Sequence, residues 1–236
     1  MCGWPITSET PQLVETSPRS ADPAGLMAGL QQQPLLAVLR PHSLQQARTQ
    51  LQLLQGAGLR HVELAVQADP AWVAMVQELV QAFPALRLGA ASVRDGEQLR
   101  AVQQAGLAYA VSPILVPPLL EQAREAAITL VPGVFSPTEI AEAMRCGAPA
   151  VKLFPAASLG PGYWSSLAGP LAPLPFCIAA GGLAPADVTP WLQAGVDAVA
   201  LGGSLFAQEP SPCLHPDLAP LLAQLGSRGK AGLLST

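Results

Sequence analysis

Short apolar segments alternate with longer amphipathic segments along most of this chain of 236 residues. The apolar segments favour β-strands, and the segments between them have the apolar spacing of surface helices. Because parallel strands need a crossover, usually a helix, this alternation predicts a parallel sheet with helices on its outside. We predict eight strands, at 35–40, 61–66, 86–91, 109–112, 129–134, 150–154, 176–180 and 198–201.

The segments between the predicted strands are predicted helices, and several begin with a recognisable signal. Ser43 precedes an amphipathic run with a glutamine at its third position, and Ser136 precedes Pro137, which suits a serine N-cap. Several predicted helices end in glycine-containing turns. A first helix is predicted at 23–32, followed by helices at 43–55, 71–83, 96–105, 117–126, 137–146, 163–168, 185–194 and 216–225.

Eight strand–helix units of this length predict an α/β protein, a single (β/α)8 TIM barrel with a flexible N-terminal arm. The alternative is a doubly wound open sheet, which favours a glycine-rich turn after its first strand. Here that position holds Arg40-Pro41-His42, so we favour the barrel. We assign 1–22 to the flexible arm because it lacks periodicity, 23–226 to the barrel and 227–236 to a C-terminal tail.

The composition argues against several classes of protein. A net charge of −4 without a basic run gives no electrostatic reason to expect nucleic acid or an anionic membrane as partner. The uncharged stretch at 101–120 contains three prolines, so we do not interpret it as a membrane span. Cys2, Cys146, Cys177 and Cys213 are widely spaced, which favours free thiols in a cytoplasmic protein over a zinc site or a disulfide framework. We see no signal peptide at the N-terminus.

Lys152 is one of only two lysines, and it interrupts an apolar run that is predicted to be a buried strand. Burial lowers the pKa of a lysine, and a neutral amine attacks carbonyl groups. The position therefore suggests an enzyme that forms a Schiff base. In the alternative interpretation, the lysine ends its strand and reaches water, or it pairs with a carboxylate.

Two more charged residues belong to predicted strands whose carboxyl ends would surround the active site of a barrel. Glu63 is the second charge in an apolar strand, and a carboxylate close to a Schiff-base carbon can transfer protons. Arg40 ends the first strand, where its planar guanidinium suits a substrate carboxylate. Arg40 could equally be an ordinary surface cation, and a single charge within a strand is often structural.

Paired glycines follow the last two predicted strands, at Gly181-Gly182 and at Gly202-Gly203. Backbone N–H groups in such turns can approach an anion closely, and barrels often bind phosphate at this place. Ser204 adds a hydroxyl that can serve as a donor, as a helix cap, or as both. The alternative is that these glycines only make tight turns.

Nine short motifs across residues 35–206 follow one another in a specific order and spacing. In that arrangement the chain resembles the 2-keto-3-deoxy-6-phosphogluconate (KDPG) and 4-hydroxy-2-oxoglutarate (KHG) aldolases, which are class I pyruvate aldolases. Any one of the motifs alone would be weak. They are 37–40 (AVLR), 62–64 (VEL), 88–93 (LGAASV), 111–113 (VSP), 131–134 (VPGV), 151–156 (VKLFPA), 168–170 (AGP), 181–183 (GGL) and 202–204 (GGS).

The resemblance implies a homotrimer of barrels that cleaves a 2-oxo-4-hydroxy acid without a metal or an organic cofactor. It implies that Lys152 forms the imine, that Glu63 is the general acid and base, and that Arg40 binds the substrate carboxylate. It also implies a phosphate site at the two glycine turns. The substrate-binding residues that it implies besides Arg40 are Ser92, Pro113, Phe154, Gly181, Gly182, Gly203 and Ser204.

Three stretches depart from the family pattern, and the first two of them lose polar groups of the family. Ala65 and Gln67 stand where relatives usually have a threonine and often an arginine, and Ala180 replaces the threonine of the usual Pro-Thr-Gly-Gly. The usual Gly-Ala-Gly-Thr after the third strand is Gly89-Ala90-Ala91-Ser92 here, which is a milder change. Each lost hydrogen bond costs about 0.5–1.5 kcal/mol, so we expect kcat/KM to be lower by roughly one to three orders of magnitude.

Two other functions fit the same residues. In one, a phosphosugar isomerase or synthase uses Lys152 as an electrostatic clamp and forms no imine. In the other, the departures mark a catalytically degenerate paralogue that binds a metabolite. The presence of Arg40, Glu63, Lys152 and both glycine turns argues against the second.

Overall fold

Nine parallel strand segments form one sheet in the computed structural model, which describes residues 22–207 and 213–231. The sheet curls into a nearly closed barrel with helices between its strands, so the predicted (β/α)8 barrel is confirmed. The order in the sheet is β5-β4-β3-β2-β1-β9-β8-β7-β6. The segments are β1 (Leu35–Leu39), β2 (His61–Ala65), β3 (Arg87–Ala91), β4 (Tyr109–Val111), β5 (Thr129–Val131), β6 (Gly133–Val134), β7 (Ala150–Leu153), β8 (Phe176–Ala180) and β9 (Ala198–Leu201).

The fifth predicted strand is divided into β5 and β6 at Pro132. Proline has no N–H to donate to a ladder, so the strand pairs with β4 before it and with β7 after it. The Pro132 carbonyl accepts a hydrogen bond from the N–H of Lys152 at 2.8 Å, and the N–H of Gly133 donates to Ile114 at 3.3 Å. Because β5 and β6 end the sheet order, this junction closes the barrel.

The helices begin where the capping signals predict. The Ser43 hydroxyl accepts from the N–H of Gln46, and Ser136 forms a capping box with Glu139. The predicted helix at 185–194 begins as a 3-10 turn at Pro185–Asp187. The helices are α1 (Pro23–Gln32), α2 (Leu44–Gly56), α3 (Ala71–Ala82), α4 (Gly96–Gln104), α5 (Pro117–Glu125), α6 (Pro137–Arg145), α7 (Pro161–Leu167), α8 (Val188–Gln193) and α9 (Leu218–Ala231).

The chain ends differ in detail from the expected divisions. Helix α9 continues to Ala231, past its predicted end at 225 and through the expected boundary between barrel and tail at 226. Residues 1–21 of the predicted arm and 232–236 of the predicted tail lie outside the described residues. A small antiparallel pair, β10 (Phe206–Ala207) and β11 (Cys213–Leu214), lies between β9 and α9. Among the helices of 22–207 and 213–231, none has the length and hydropathy to cross a membrane.

Two apolar cores occupy opposite faces of the strands. The larger one lies between the strands and the surrounding helices and includes Trp72, Trp164 and Trp191. The smaller one fills the barrel and is rich in alanine, with Ala180 and Ala200 among its members. The small interior side chains leave room for long charged side chains, which is where Glu63 and Lys152 lie.

Helix α1 covers the end of the barrel at which the strands begin. Its buried residues Leu26 and Leu30 belong to the same cluster as the barrel interior. Gly29 faces the imidazole of His61, because a Cβ atom at Gly29 would lie 2.8 Å from the His61 Cε1 atom. Asp22 caps α1 and also accepts a hydrogen bond from Arg87. The barrel is therefore closed at this end, and the predicted site lies at the other.

Candidate active site

A cavity of about 450 Å³ opens at the carboxyl ends of β1, β7, β8 and β9. Side chains from these strands and backbone from the turns that follow them form its wall. Seven of the ten residues that the sequence predicts for the site line this one cavity. They are Arg40, Lys152, Phe154, Gly181, Gly182, Gly203 and Ser204.

Lys152 is the third residue of β7, and only 7% of it is exposed. Burial lowers the pKa of its amine; the carboxylate of Glu63 acts in the opposite direction, and the charge of Arg40 lowers the pKa further. The Nζ atom lies 5.2 Å from the centre of the Phe154 ring. The amine therefore combines a buried setting with access to the cavity, as a nucleophile requires.

Glu63 is the middle residue of β2 and is 1% exposed. Burial raises the pKa of its carboxyl group to about 7, although the charges of Lys152 and Arg40 pull it down. Neither carboxylate oxygen has a hydrogen-bond partner within the described residues. A carboxyl group that titrates near neutral pH can both accept and donate a proton, which is what general acid–base catalysis needs.

Arg40 follows the last residue of β1 and is exposed at the rim of the cavity. Its positive charge influences the pKa of both Glu63 and Lys152, which places the guanidinium on the same side of the barrel as the two buried groups. An exposed guanidinium at the mouth can bind a carboxylate with two parallel hydrogen bonds.

The glycine turn after β8 needs glycine at both positions. Gly181 has a φ angle of 96° and Gly182 one of 75°, in the region that side chains disfavour. A Cβ atom at Gly181 would lie 2.8 Å from two atoms of the Phe154 ring, and one at Gly182 would lie 2.9 Å from the Ala157 Cβ atom. The turn can therefore pack against the residues that follow β7 only as Gly-Gly.

The turns after β8 and β9 are joined by Ser204, whose hydroxyl donates to the Leu183 carbonyl at 2.7 Å. The Ser204 hydroxyl therefore already donates its proton within the protein and is not free to donate it to a ligand. Within the described residues, the backbone N–H groups of Gly181, Gly182, Gly203 and Ser204 make no hydrogen bond to another backbone group. N–H groups without backbone partners are what an anion site in such turns requires.

Three of the predicted site residues lie outside the cavity wall. Glu63 is buried within the barrel. Ser92 follows β3 with a φ angle of 65° and is half-buried. Pro113 lines a neighbouring groove that also includes Ile114 and Phe135. Because Phe154 borders both the cavity and this groove, its ring forms part of the wall between them.

Several cavity residues were not among the predicted ones. Val38, Ala180 and Ala200 are apolar and line the cavity two residues before its polar rim. The period of two along a strand would have identified them, since residues i and i−2 of a strand point to the same face. Their methyl groups make the wall beside Lys152 apolar, and Ala180 provides no hydroxyl there.

Tyr109 is an interior polar residue that does not line the cavity. Tyr109 is buried, donates to the Val62 carbonyl at 3.4 Å and packs against Gly89. Burial, with the charge of Glu63, raises the pKa of its hydroxyl. In residues 22–207 and 213–231, no group of three or more His, Cys, Asp or Glu side chains is arranged to hold a metal ion.

Comparison with known proteins agrees with the fold and with the motifs. The sequence model described as KDPG and KHG aldolase matches residues 26–217. The 2-dehydro-3-deoxy-6-phosphogalactonate aldolase of Escherichia coli K12 is 30% identical over 174 residues, covering 73% of this chain and 84% of that protein. The KHG/KDPG aldolase of the same strain is 32% identical over 172 residues, covering 72% and 79%. A solved structure of native KDPGal superposes with a TM-score of 0.70 at 26% identity, covering 86% of this chain and 97% of that chain.

Proposed function

Because the chain belongs to the KDPG and KHG aldolase family, we propose that it is a metal-independent class I aldolase. It cleaves a 2-oxo-4-hydroxy acid, such as KDPG or KHG, into pyruvate and an aldehyde. The aldehyde is glyceraldehyde 3-phosphate from KDPG and glyoxylate from KHG. The observation that carries the proposal is the cavity in which the buried Lys152 amine meets Arg40 and two glycine turns.

The first steps use Lys152. Its neutral amine attacks the C2 carbonyl to give a carbinolamine, which loses water to form an iminium ion. Burial lowers the pKa of this amine, so more of it is in the nucleophilic form at neutral pH. Arg40 binds the carboxylate at C1 and so holds C2 within reach of the amine.

Bond cleavage then uses Glu63 as the base. The carboxylate takes the proton of the C4 hydroxyl, directly or through a water, and the C3–C4 bond breaks. The bonding electrons pass to the iminium nitrogen, which leaves an enamine and releases the aldehyde. The protonated Glu63 returns its proton to C3, and water hydrolyses the resulting iminium to pyruvate and free Lys152. A pKa of about 7 for Glu63 suits both directions of transfer.

The decisive test is reduction with borohydride in the presence of pyruvate, followed by mass analysis of the peptides. We expect a reduced pyruvate adduct on Lys152, and neither adduct nor turnover in Lys152→Ala. The matched control is Lys230→Ala, which should retain both. An adduct on Lys230, or none at all, would contradict the assignment.

A phosphate group of the substrate is proposed to bind at the turns after β8 and β9. Backbone N–H groups at Gly181, Gly182, Gly203 and Ser204 support this. Measurement of kcat/KM for phosphorylated and unphosphorylated 2-oxo-4-hydroxy acids side by side tests it. Similar values for both would contradict a phosphate site.

The stereochemistry at C4 is a separate question, because relatives of both the phosphogluconate and the phosphogalactonate type are similar to this chain. Ala180 offers a methyl group where a threonine would offer a hydroxyl. We propose that this position affects the choice between the two C4 epimers. Comparison of kcat/KM for both epimers with wild type and Ala180→Thr tests this, and an unchanged ratio would contradict it.

A second candidate is a phosphosugar isomerase or synthase that uses Lys152 as a charged clamp. The position of the Lys152 Nζ atom over the Phe154 ring favours it, since a cation–π contact stabilises the charged amine. Lys152→Arg distinguishes the two functions. A clamp would retain activity with arginine, whereas arginine cannot form the imine.

We also propose that the protein is a homotrimer. A second proposal is that it works in the cytoplasm. The exposed apolar residues support the trimer, and the free thiols support the compartment. Ile114, Phe135 and Met144 are large apolar residues that remain exposed, and the first two share one groove. The thiols of Cys146, Cys177 and Cys213 are free, which fits a reducing compartment. Light scattering during gel filtration should give three times the chain mass of 24.3 kDa, and a monomer mass would contradict the trimer.

A further inference from the structure

Within residues 22–207 and 213–231, no side chain holds Arg40 in place by a hydrogen bond or an ion pair. Its guanidinium makes no hydrogen bond or ion pair within the described residues, although the residue lines the cavity. A long side chain without partners loses much rotamer entropy when it binds a ligand. The position of the Arg40 guanidinium in the cavity therefore depends on the backbone to which the side chain is attached.

That backbone is held at the peptide group immediately after it. The Gln67 Nε2 atom donates to the Pro41 carbonyl at 2.5 Å, and the N–H of His42 donates to the Gln46 Oε1 atom at 2.7 Å. Carbonyl and N–H belong to the same peptide group, between Pro41 and His42. Two glutamine side chains, one from the β2–α3 connection and one from α2, thus hold its two sides.

The torsion angles around Arg40 leave little freedom once this peptide is held. The ring of Pro41 fixes its own φ angle near about −65° and keeps the preceding residue extended. On the other side, Leu39 is paired with Leu64 in the sheet. The ψ angle of Pro41 is the soft torsion that remains, and the two glutamine hydrogen bonds restrict it.

Gln67 occupies a position where many relatives have an arginine, but it does not line the cavity. Its amide is turned towards the β1–α2 connection and is half-buried there. A direct contact between this amide and a substrate in the cavity would require it to leave the Pro41 carbonyl. The hydrogen bond thus connects the loop after β2 to the loop that carries Arg40.

We propose that Gln67 is a positioning residue for carboxylate binding, which it affects by fixing the Pro41–His42 peptide and thereby Arg40. The proposal rests on the proposed function, because Arg40 acts there on the carboxylate of the pyruvoyl half. It assigns a role to one of the three departures from the family pattern. That role is to orient the first-strand arginine rather than to contact the substrate.

The test compares two ketones, one with a negatively charged carboxylate and one in which that group is a neutral methyl ester. Pyruvate carries the carboxylate, whereas methyl pyruvate is its neutral ester, and both can be trapped on Lys152 with borohydride. In Gln67→Met, which keeps the size of the side chain but cannot donate, we expect half-maximal trapping to need about three- to ten-fold more pyruvate. Trapping with methyl pyruvate should be unchanged.

Two controls separate positioning from a general loss of structure. Gln77→Met removes a similar hydrogen bond, from the Gln77 Nε2 atom to the Gln104 carbonyl at 2.8 Å, at a site outside the cavity. This variant should leave the trapping of both ketones unchanged. Gln46→Met removes the hydrogen bond on the other side of the Pro41–His42 peptide group and should weaken the trapping of pyruvate as Gln67→Met does. It also serves as the test if Gln67→Met does not fold.

A double variant completes the experiment. Arg40→Met removes the interaction that binds the carboxylate of pyruvate. Adding Gln67→Met to this variant should therefore weaken the trapping of pyruvate no further. Equal losses with both ketones, additive losses in the double variant, or wild-type behaviour of both glutamine variants would each overturn the positioning role. If the wild type forms no adduct with pyruvate, the proposed function itself fails and this role fails with it.

Discussion

Glu63 and Lys152 face each other across the barrel without a salt bridge between them in the described part of the chain. Three strands lie between β2 and β7 in either direction around the barrel when β5 and β6 are counted as one divided strand, which places β2 and β7 opposite each other. Each group shifts the pKa of the other, yet the two atoms of the carboxylate remain without a partner. In the proposed reaction, the C4 carbon of the substrate and its hydroxyl would lie between these two groups.

The first prediction concerns the pH dependence of turnover. The pKa of Glu63 is about 7 because of burial, and the base form is the deprotonated one, so kcat/KM should rise as pH increases through about 7. Glu63→Gln should lose this rise and lower kcat/KM by about 10²–10⁴-fold. A pH profile of both proteins is the measurement. If Glu63→Gln retained the rise, the titrating group would be another one, such as Lys152.

The second prediction concerns stability. The folded-state pKa of Glu63, about 7, exceeds its ordinary value of 4.5, so the folded protein binds the extra proton between these values. Stability contributed by the protonated carboxyl is therefore lost as pH rises from about 4.5 to 7. Above this range, the free energy of unfolding of Glu63→Gln should exceed that of wild type by about 3 kcal/mol, and below it the two should not differ.

Urea unfolding at several pH values measures that difference, and Glu139 supplies a control of opposite sign. Burial acts to raise the pKa of Glu139, but hydrogen bonds from the N–H groups of Phe135 and Ser136 hold it below its ordinary value. Glu139→Gln should therefore be less stable than wild type at neutral pH. A Glu63→Gln variant that is also less stable there would contradict the prediction.

The third prediction concerns acid unfolding and His61. Burial lowers the pKa of this imidazole from 6.5 to about 4. The folded protein thus binds fewer protons than the unfolded chain between these values, and stability is lost as pH falls from about 6.5 to 4. His61→Gln should flatten this part of the stability profile, whereas His42→Gln, at an exposed position, should not. An equally steep profile in His61→Gln would argue that other groups drive acid unfolding.

The fourth prediction concerns the turn after β8. Gly181→Ala requires a positive φ angle from alanine and brings its Cβ atom against the Phe154 ring. We expect a loss of about 1–3 kcal/mol in the free energy of unfolding together with weaker trapping of pyruvate on Lys152. Gly162→Ala, where an added Cβ meets nothing within 4 Å, is the matched control. If Gly181→Ala trapped pyruvate on Lys152 as well as wild type does, the position of the Phe154 ring would not matter for trapping, which would contradict the prediction.

The alternation of eight strand regions with helices followed from the sequence because apolar strands and amphipathic helices have different periods. The interruption at Pro132 was not predicted, although the reason was present in the sequence. Its neighbours form a continuous apolar run, and apolar character was given more weight than the missing N–H of proline. The structure shows that the hydrogen-bonding defect decides where the strand is divided.

The cavity was predictable in outline for a similar reason. Lys152, Arg40 and the glycine turns all follow from the rule that barrel sites lie at the carboxyl ends of strands, and they line one cavity. Pro113 obeys the same rule but lies in the next groove, because the Phe154 ring stands between. The bond between Gln67 and Pro41 could not be predicted, since its acceptor is a backbone carbonyl 26 residues away that any residue could supply.

Helix α1 closes one end of the barrel with Leu26 and Leu30, so that the interior opens only at the carboxyl ends of the strands. Anything that reacts with Lys152 must arrive and depart through the same opening. In the proposed reaction, the two products therefore leave through this opening one after the other, in an order that the covalent bond to Lys152 sets. The aldehyde, which carries no bond to the protein, leaves first, and pyruvate follows only after water has descended past the rim to release it.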